Sequence, residues 1–287
     1  MKKMIINLQA SLFGALPERL KYPLNQVRII LRYVNWYLNK RGRKRSTTIL
    51  AQYKNKFAGY RCVVIGNGPS LNNMNLSLLK NEFTFGLNRI YLLFEKMGFS
   101  TSFFVSINRL VIEQFGEEIS RVNSLKVLNW SCENYVTKDE NTVFLSARPT
   151  TTKMDGEIIN GYFHTGGSVT NVALELAYYM GFSEVILIGV DHSFVEQGTG
   201  GKAIVSKGAD QNHFSENYFG AGVVWQLPNY STMEYGYVQA KKLFEGDKRI
   251  IVDATVGGNL QVFEKVDFEI YLKNSKSKSK KGRENSL

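Results

Sequence analysis

The sequence predicts an α/β fold, a mostly parallel sheet with helices on both faces, preceded by a basic helical extension. Two observations carry this prediction. From Tyr60 onward, short apolar runs alternate with stretches of helical period, the pattern of strand–helix–strand units. One run, Glu184–Ile188, is apolar on both faces, as a strand covered from both sides must be. With 44% hydrophobic and 13% aromatic residues over 287 positions, the chain can build the core such a fold needs. That composition excludes a disordered or collagen-like chain.

The extension spans residues 1–50. Its first 20 residues resemble a signal peptide only loosely, because Asn7 and Gln9 interrupt the apolar stretch and no small-residue cleavage site follows. We read it as retained. Pro23 then opens a predicted helix over Leu24–Asn39, in which Leu24, Val27, Leu31, Val34 and Leu38 share one face. Arg28, Arg32, Asn35 and Asn39 lie off that stripe, Trp36 and Tyr37 are rings suited to an interface, and the basic run Lys40–Arg45 follows. Two readings fit: an in-plane anchor on an anionic membrane through 24–45, or a helix packed on the main domain with a solvated basic end. No run approaches the ~20 apolar residues of a membrane-spanning helix.

Strands are predicted at Arg61–Ile65, Phe83–Leu87, Ser102–Ile107, Leu125–Trp130, Thr142–Leu145, Glu184–Ile188 and Arg249–Val252. Helices are predicted at Leu76–Lys80, Ile90–Lys96, Leu110–Val122, Ser168–Met180 and Met233–Glu245. Ser168–Met180 is the best determined: Val169, Val172, Ala173, Leu176, Ala177 and Met180 form its stripe, and Gly181 stands at the C-terminal cap. Residues 51–272 thus read as one Rossmann-like catalytic domain, and 273–287 as a disordered Lys/Ser-rich tail.

The net charge of +11 is unevenly placed. Residues 1–45 carry +10 and 273–287 carry +5, so 46–272 carry −4. A folded face that grips phosphate backbones carries its own positive charge, so no nucleic-acid partner is expected. Cys62 and Cys132 make neither a disulfide scaffold nor a metal spacing, which suits a reducing cytoplasm.

Three motifs carry chemistry. In Val63–Leu71 an apolar run ends in Gly66-Asn67-Gly68-Pro69-Ser70, whose glycines allow a tight turn and close approach to a ligand. Its amides favour a phosphate. Leu71 stands where a dinucleotide fingerprint needs its third glycine, the next run ends in Asn88-Arg89 without an acid, and no Gly-Lys-Ser/Thr follows. NAD and Walker-type binding are therefore not expected, and a ligand-free turn is the plainer alternative. The second motif, His164-Thr165-Gly166-Gly167-Ser168, opens the best helix as another anion-friendly loop, although Ser168 also suits a simple N-cap. The third, Gly189-Val190-Asp191-His192-Ser193-Phe194, ends the interior strand. Asp210-Gln211-Asn212-His213-Phe214 and Asn217-Tyr218-Phe219-Gly220 follow, placing Asp and His for acid–base work. No ligand spacing for zinc and no Gly-x-Ser-x-Gly elbow is present.

Taken together, Ile65–Leu71, Asn88-Arg89, Thr165–Ser168, Gly189–Phe194 and Asn212–Phe214 resemble the 6-hydroxymethylpterin pyrophosphokinase MptE-like family over about residues 50–270. That resemblance implies either pyrophosphate transfer from ATP to a pterin alcohol or a role in surface-polysaccharide assembly. The Gly-Asn-Gly-Pro-Ser-Leu loop is also similar to the opening motif of bacterial sialyltransferases that use CMP-sialic acid. That likeness implies nucleotide contacts at Asn67, Asn88, Thr165 and Gly166. The late catalytic histidine of those enzymes has no counterpart in Pro228–Tyr235, so His192 or His213 replaces it or the chemistry differs.

The expected function is a glycosyltransferase-like enzyme using a nucleotide-activated sugar, with a CMP-linked nonulosonic acid as one donor, and a glycan or lipid-linked acceptor. It would need no cofactor and would work in the cytoplasm, peripherally on the inner face of the plasma membrane. His192 or His213 would be the base, Asp191 or Asp210 would orient it, and Tyr218 would hydrogen-bond the departing phosphate. Gly66, Asn67, Gly68, Pro69, Ser70, Asn88, Arg89, Thr165, Gly166, Gly167 and Ser168 would hold the nucleotide. The alternatives are an ATP/Mg²⁺-dependent pyrophosphokinase, with Asp191, Asp210 and Asp253 on the ion, and a non-catalytic sugar-nucleotide binding module.

Overall fold

Unbroken apolar runs become the interior of the sheet. β1 (Arg61–Ile65), β2 (Phe83–Leu87) and β7 (Glu184–Ile188) are buried along their whole length and begin and end where the sequence predicts. The computed structural model describes residues 34–148 and 157–279, together with positions 27, 30 and 31. Within it, β3 (Phe103–Ser106), β4 (Leu125–Asn129), β5 (Thr142–Ala147) and β10 (Ile250–Asp253) lie within two residues of their predicted limits. Two short edge strands, β6 (Tyr162–Phe163) and β11 (Glu264–Lys265), complete a nine-stranded sheet in the order β11-β10-β7-β1-β2-β3-β4-β5-β6. Every ladder in that sheet is parallel, so the arrangement is α/β and Rossmann-like.

Alternation along β1 divides the core. Cys62 and Val64 face one layer, built on α4 (Val169–Tyr179) and α5 (Tyr230–Gly246), with Phe57 and Phe182 stacked in it. Val63 and Ile65 face the other, built on the 3-10 turns Pro69–Asn73 and Leu76–Asn81, α2 (Phe94–Met97) and α3 (Arg109–Ser120). The predicted helix Ile90–Lys96 is a 3-10 turn, Ile90–Leu93, running into α2. Cys62 and Cys132 are both buried.

The chain leaves β1 in opposite directions, to β2 on one side and, much later, to β7 on the other. Such a reversal opens a crevice at the carboxyl ends of the strands. An antiparallel hairpin, β8 (Ala203–Val205) with β9 (Val224–Gln226), stands over that rim, and Gln114 of α3 holds it through the Val224 amide and carbonyl.

Two expectations at the ends of the chain change. The run Lys40–Arg45 stays largely exposed but is not the end of the preceding helix: Asn39 breaks that helix and caps a new one, α1 (Lys40–Ala51), by accepting from the Gly42 amide at 3.0 Å. Ser46, Leu50 and Arg45 fasten α1 to the sheet edge, with the Arg45 guanidinium donating to the carbonyls of Thr142 and Asp139 at 2.6 Å each. At the other end, Lys273 and Asn274 belong to α6 (Phe268–Asn274), and Lys278 exchanges backbone hydrogen bonds with Gly59 and Arg61. The order therefore continues into the segment expected to be a tail, because those backbone groups complete the start of β1. Residues 1–26, which include the signal-like stretch and Leu24, and residues 280–287 lie outside the described residues.

Candidate functional site

The loop after β1 is stitched to the end of β7. Gly66 donates its amide to Ile188 O at 2.8 Å, and Gly68 donates to Gly189 O at 2.9 Å. A Cβ on Gly66 would collide with the Gly189 carbonyl, and one on Gly68 with the Asp191 carboxylate. Asp191 closes the stitch by accepting from the Ser70 amide (3.0 Å) and hydroxyl (2.7 Å). Burial pushes its carboxyl above the ordinary range, against the pull of those two bonds.

The cleft at this rim is lined by Gly66, Asn67, Gly68, Asn88, Asn108, Ser168, Thr170, Asp191, His192, Phe194, Asn212, His213, Tyr218, Trp225, Met233 and Tyr237. Asn88 and His192 hold left-handed backbones at φ 49° and 54°, strain of the kind that accompanies sites. Asn67 keeps a buried Oδ1 without a partner, a group whose desolvation a ligand hydroxyl or amino group would relieve.

The two histidines of the cleft are set differently. His213 is held at Nδ1 by Asp210 Oδ2 at 2.7 Å and lies flat on Tyr218, with ring centroids 3.9 Å apart. Asp210 also accepts from the Phe219 amide at 3.0 Å, and its second oxygen from the Asn212 amide at 2.8 Å. Although burial opposes it, the His213 bond and charge, with those amides, hold the Asp210 carboxyl below its ordinary value. The next residue, Phe214, donates its amide to Asn67 O (2.9 Å) and accepts at its carbonyl from Asn72 Nδ2 (2.9 Å), so the histidine segment is tied to the glycine loop. His192 instead meets Glu234 of α5 through Nε2 at 3.0 Å, and its buried Nδ1 has no hydrogen-bond partner.

An Asp carboxyl held low in the fold stabilises it above the unfolded-state value of about 3.9 and loses that contribution as pH falls through the folded-state value. Asp210→Asn is therefore expected to lose stability at neutral pH and to lose less than the parent on further acidification. Urea melts between neutral and acid pH measure the difference, and parallel acid limbs would contradict it.

Not every sequence-predicted residue reaches the cleft. Arg89 is buried behind it: its guanidinium donates to the carbonyls of Asn217 and Tyr218 and packs on the Phe115 ring at 3.7 Å. The Tyr218 hydroxyl accepts from the Arg89 amide at 3.3 Å, and burial pushes its ionisation up. Pro69 starts a 3-10 turn and Ser70 serves Asp191. Thr165 is exposed and does not line the cleft, so the predicted meeting of Asn67, Asn88 and Thr165 holds for the first two only. Gly166 and Gly167, at φ 46° and 77°, let the start of α4 approach Asn171 and the Thr232–Met233 backbone. Ser168 caps α4 by accepting from the Asn171 amide at 3.2 Å and turns that helix end toward the cleft.

Asn108, Trp225 and Tyr237, and the Glu234 partner of His192, were not foreseen. The absence of a histidine from Pro228–Tyr235 drew attention to the segment, but only the fold brings Glu234 to a histidine 42 positions earlier. Among the described residues no group of three or more His, Cys, Asp or Glu is placed to hold a metal ion, and no helix is long and apolar enough to cross a membrane.

Comparison with known proteins gives the family of the sequence. The profile of the 6-hydroxymethylpterin diphosphokinase MptE-like family matches residues 39–197. A search of curated proteins finds no match. Among solved structures, the MAf glycosyltransferase from Magnetospirillum magneticum AMB-1 is similar with a TM-score of 0.49 at 14% identity, over 85% of this chain and 41% of that one. The chain thus spans about two-fifths of the length of that solved protein.

Proposed function

The chain belongs to the 6-hydroxymethylpterin diphosphokinase MptE-like family, and on that footing we propose that it is a transferase moving a glycosyl group from a nucleotide-activated sugar to an acceptor hydroxyl. One observation carries the reading: at the strand-end cleft His213 is clasped at Nδ1 by Asp210 and backed by Tyr218, while its Nε2 has no protein partner among the described residues. With the Nδ1 proton donated to Asp210, Nε2 is left with its lone pair, the tautomer of a general base.

In the proposed reaction His213 Nε2 takes the acceptor proton as the acceptor oxygen bonds to the sugar carbon. The bond from that carbon to the phosphate oxygen breaks, and the nucleotide leaves with the electron pair. The Asn67 backbone, held between the two glycines that are bonded to β7, and the N-terminal end of α4 at Ser168 face the departing phosphate. Asn67 Oδ1 and Asn88 receive polar groups of the donor. Phe194 and Trp225, nearly parallel with centroids 6.0 Å apart, form an apolar wall for the acceptor. Asp191 acts as the clasp of the loop rather than as a partner of either histidine, and Arg89 as the support of Asn217–Tyr218. The likeness of the Gly66–Leu71 loop to CMP-sialic acid enzymes supports a CMP-type donor, and a lipid-linked or glycan acceptor of surface-polysaccharide assembly suits the family.

The family's description keeps a second reading in view, diphosphoryl transfer from ATP to a hydroxymethylpterin. The described carboxylates do not fit a protein-held Mg²⁺ site for it. Asp191 is bonded to Ser70, Asp210 to His213 and two amides, and Asp253 to Lys265 Nζ (2.7 Å) and the Thr255 amide (2.9 Å). AMP release from ATP, Mg²⁺ and a hydroxymethylpterin would establish that reading instead. The first test is a thermal-shift series with CMP, CDP, UDP, GDP and ATP. We expect the melting temperature to rise with a pyrimidine nucleotide, since a ligand at 100 times its Kd stabilises by about 2.7 kcal/mol. A rise with ATP alone would overturn the glycosyl reading.

A further inference from the structure

A helix that packs on a globular domain hides its apolar stripe. The leading helix does the reverse. Its described positions Val27, Ile30, Leu31, Val34, Tyr37 and Leu38 are each between 41% and 64% exposed. At 100° per residue these six fall within one arc of roughly 120°. Trp36 lies on the opposite side of the helix and is fully buried. Its indole Nε1 donates to Gly161 O at 2.9 Å, and its ring meets Trp130 at 5.2 Å. One aromatic thus moors the helix to the body and turns the apolar arc outward.

Charge adjoins this arc. Lys40, Arg41 and Lys44, on the first turns of α1 directly after Leu38, are exposed and form no ion pair with a carboxylate among the described residues. Arg43 lies over the Tyr37 ring at 4.9 Å, binding the start of α1 to the end of the arc. A protein partner of unknown shape would not require an apolar arc continuous with free cations. An anionic bilayer does, because acyl chains take the apolar side chains while headgroup phosphates take the lysines and arginine.

We propose that this face docks the protein in the plane of an anionic membrane. The placement has a consequence for access. Trp130 follows β4 directly, and Gly161, just before β6, accepts from the Ser146 amide near the carboxyl end of β5, and in a parallel sheet that is the same rim on which the cleft opens. Docking would hold the cleft rim near the lipid surface, where a lipid-borne acceptor resides.

The test is co-sedimentation of the full chain with phosphatidylcholine vesicles with and without phosphatidylglycerol. We expect binding to the anionic vesicles that falls with added salt. The double change Leu31→Glu and Leu38→Glu should lower the partition coefficient by about tenfold or more. The triple change Lys40→Gln, Arg41→Gln and Lys44→Gln should lower it on the order of a hundredfold. Both sets alter exposed side chains, so melting temperature and nucleotide-induced stabilisation should stay as in the parent, which separates loss of docking from loss of folding. Absence of binding to anionic vesicles would overturn the proposal. So would equal binding by parent and Leu31/Leu38 variant. A parent dimer that this variant dissociates, with no vesicle binding, would assign the face to a second copy of the chain instead.

Discussion

His213→Ala is expected to lower turnover by about 10²–10⁴-fold, the usual worth of a positioned general base, while nucleotide-induced stabilisation is retained. The separation follows from the geometry. The imidazole meets Asp210 and Tyr218 on its inner sides, whereas the loop that would hold phosphate is fixed by Gly66, Gly68 and Asp191 through bonds that do not use that ring. Turnover with the donor identified by thermal shift reads the effect. His192→Ala is the companion. Its ring is held by Glu234, and its loss should leave a rate still dependent on the Asp210–His213 pair. If His213→Ala turns over like the parent and His192→Ala does not, the base has been assigned to the wrong histidine.

Gly66→Ala is expected to destabilise the fold by about 1–3 kcal/mol and to abolish nucleotide stabilisation. The added methyl would meet the Gly189 carbonyl, and backbone faces backbone there, so neither side can swing away. Relief would require parting the loop from β7 and breaking the Gly66–Ile188 and Gly68–Gly189 hydrogen bonds. Those two bonds hold the loop in the turn that is proposed to present Asn67 to the nucleotide. Gly246→Ala is the control: it closes α5, nothing lies within 4 Å of a Cβ there, and its melt should match or exceed the parent's. A Gly66→Ala protein that melts like the parent and responds to nucleotide would remove the loop from the site.

The same contacts explain what could be read from the chain alone. β1, β2 and β7 were legible to the residue because a strand buried on both faces leaves an uninterrupted apolar run. β6 and β11 have two residues each and β8 and β9 three, too few for any period to register. α1 was hidden by its own charge: Lys40–Arg45 reads as a solvated run, and only the fold shows Arg45 spending its guanidinium on two carbonyls. At the site, Asp210 and His213 are three positions apart, so their partnership was within reach of sequence reasoning. Asp191 stands beside His192 yet bonds to Ser70, 121 positions earlier, a preference set by how β1 and β7 pair. A motif likeness points to Thr165, whereas the fold places Ser168 at the cleft.

The position of β1 also bears on how the polypeptide is made. Strands β2 to β5 can join it in order as they emerge from the ribosome. Its other edge waits for β7, and the backbone groups at its start wait for Lys278. Until then the nascent half-sheet shows an unpaired apolar margin, a template for mispairing with neighbouring chains. The arrival of β7 along that margin is therefore the step that closes the template.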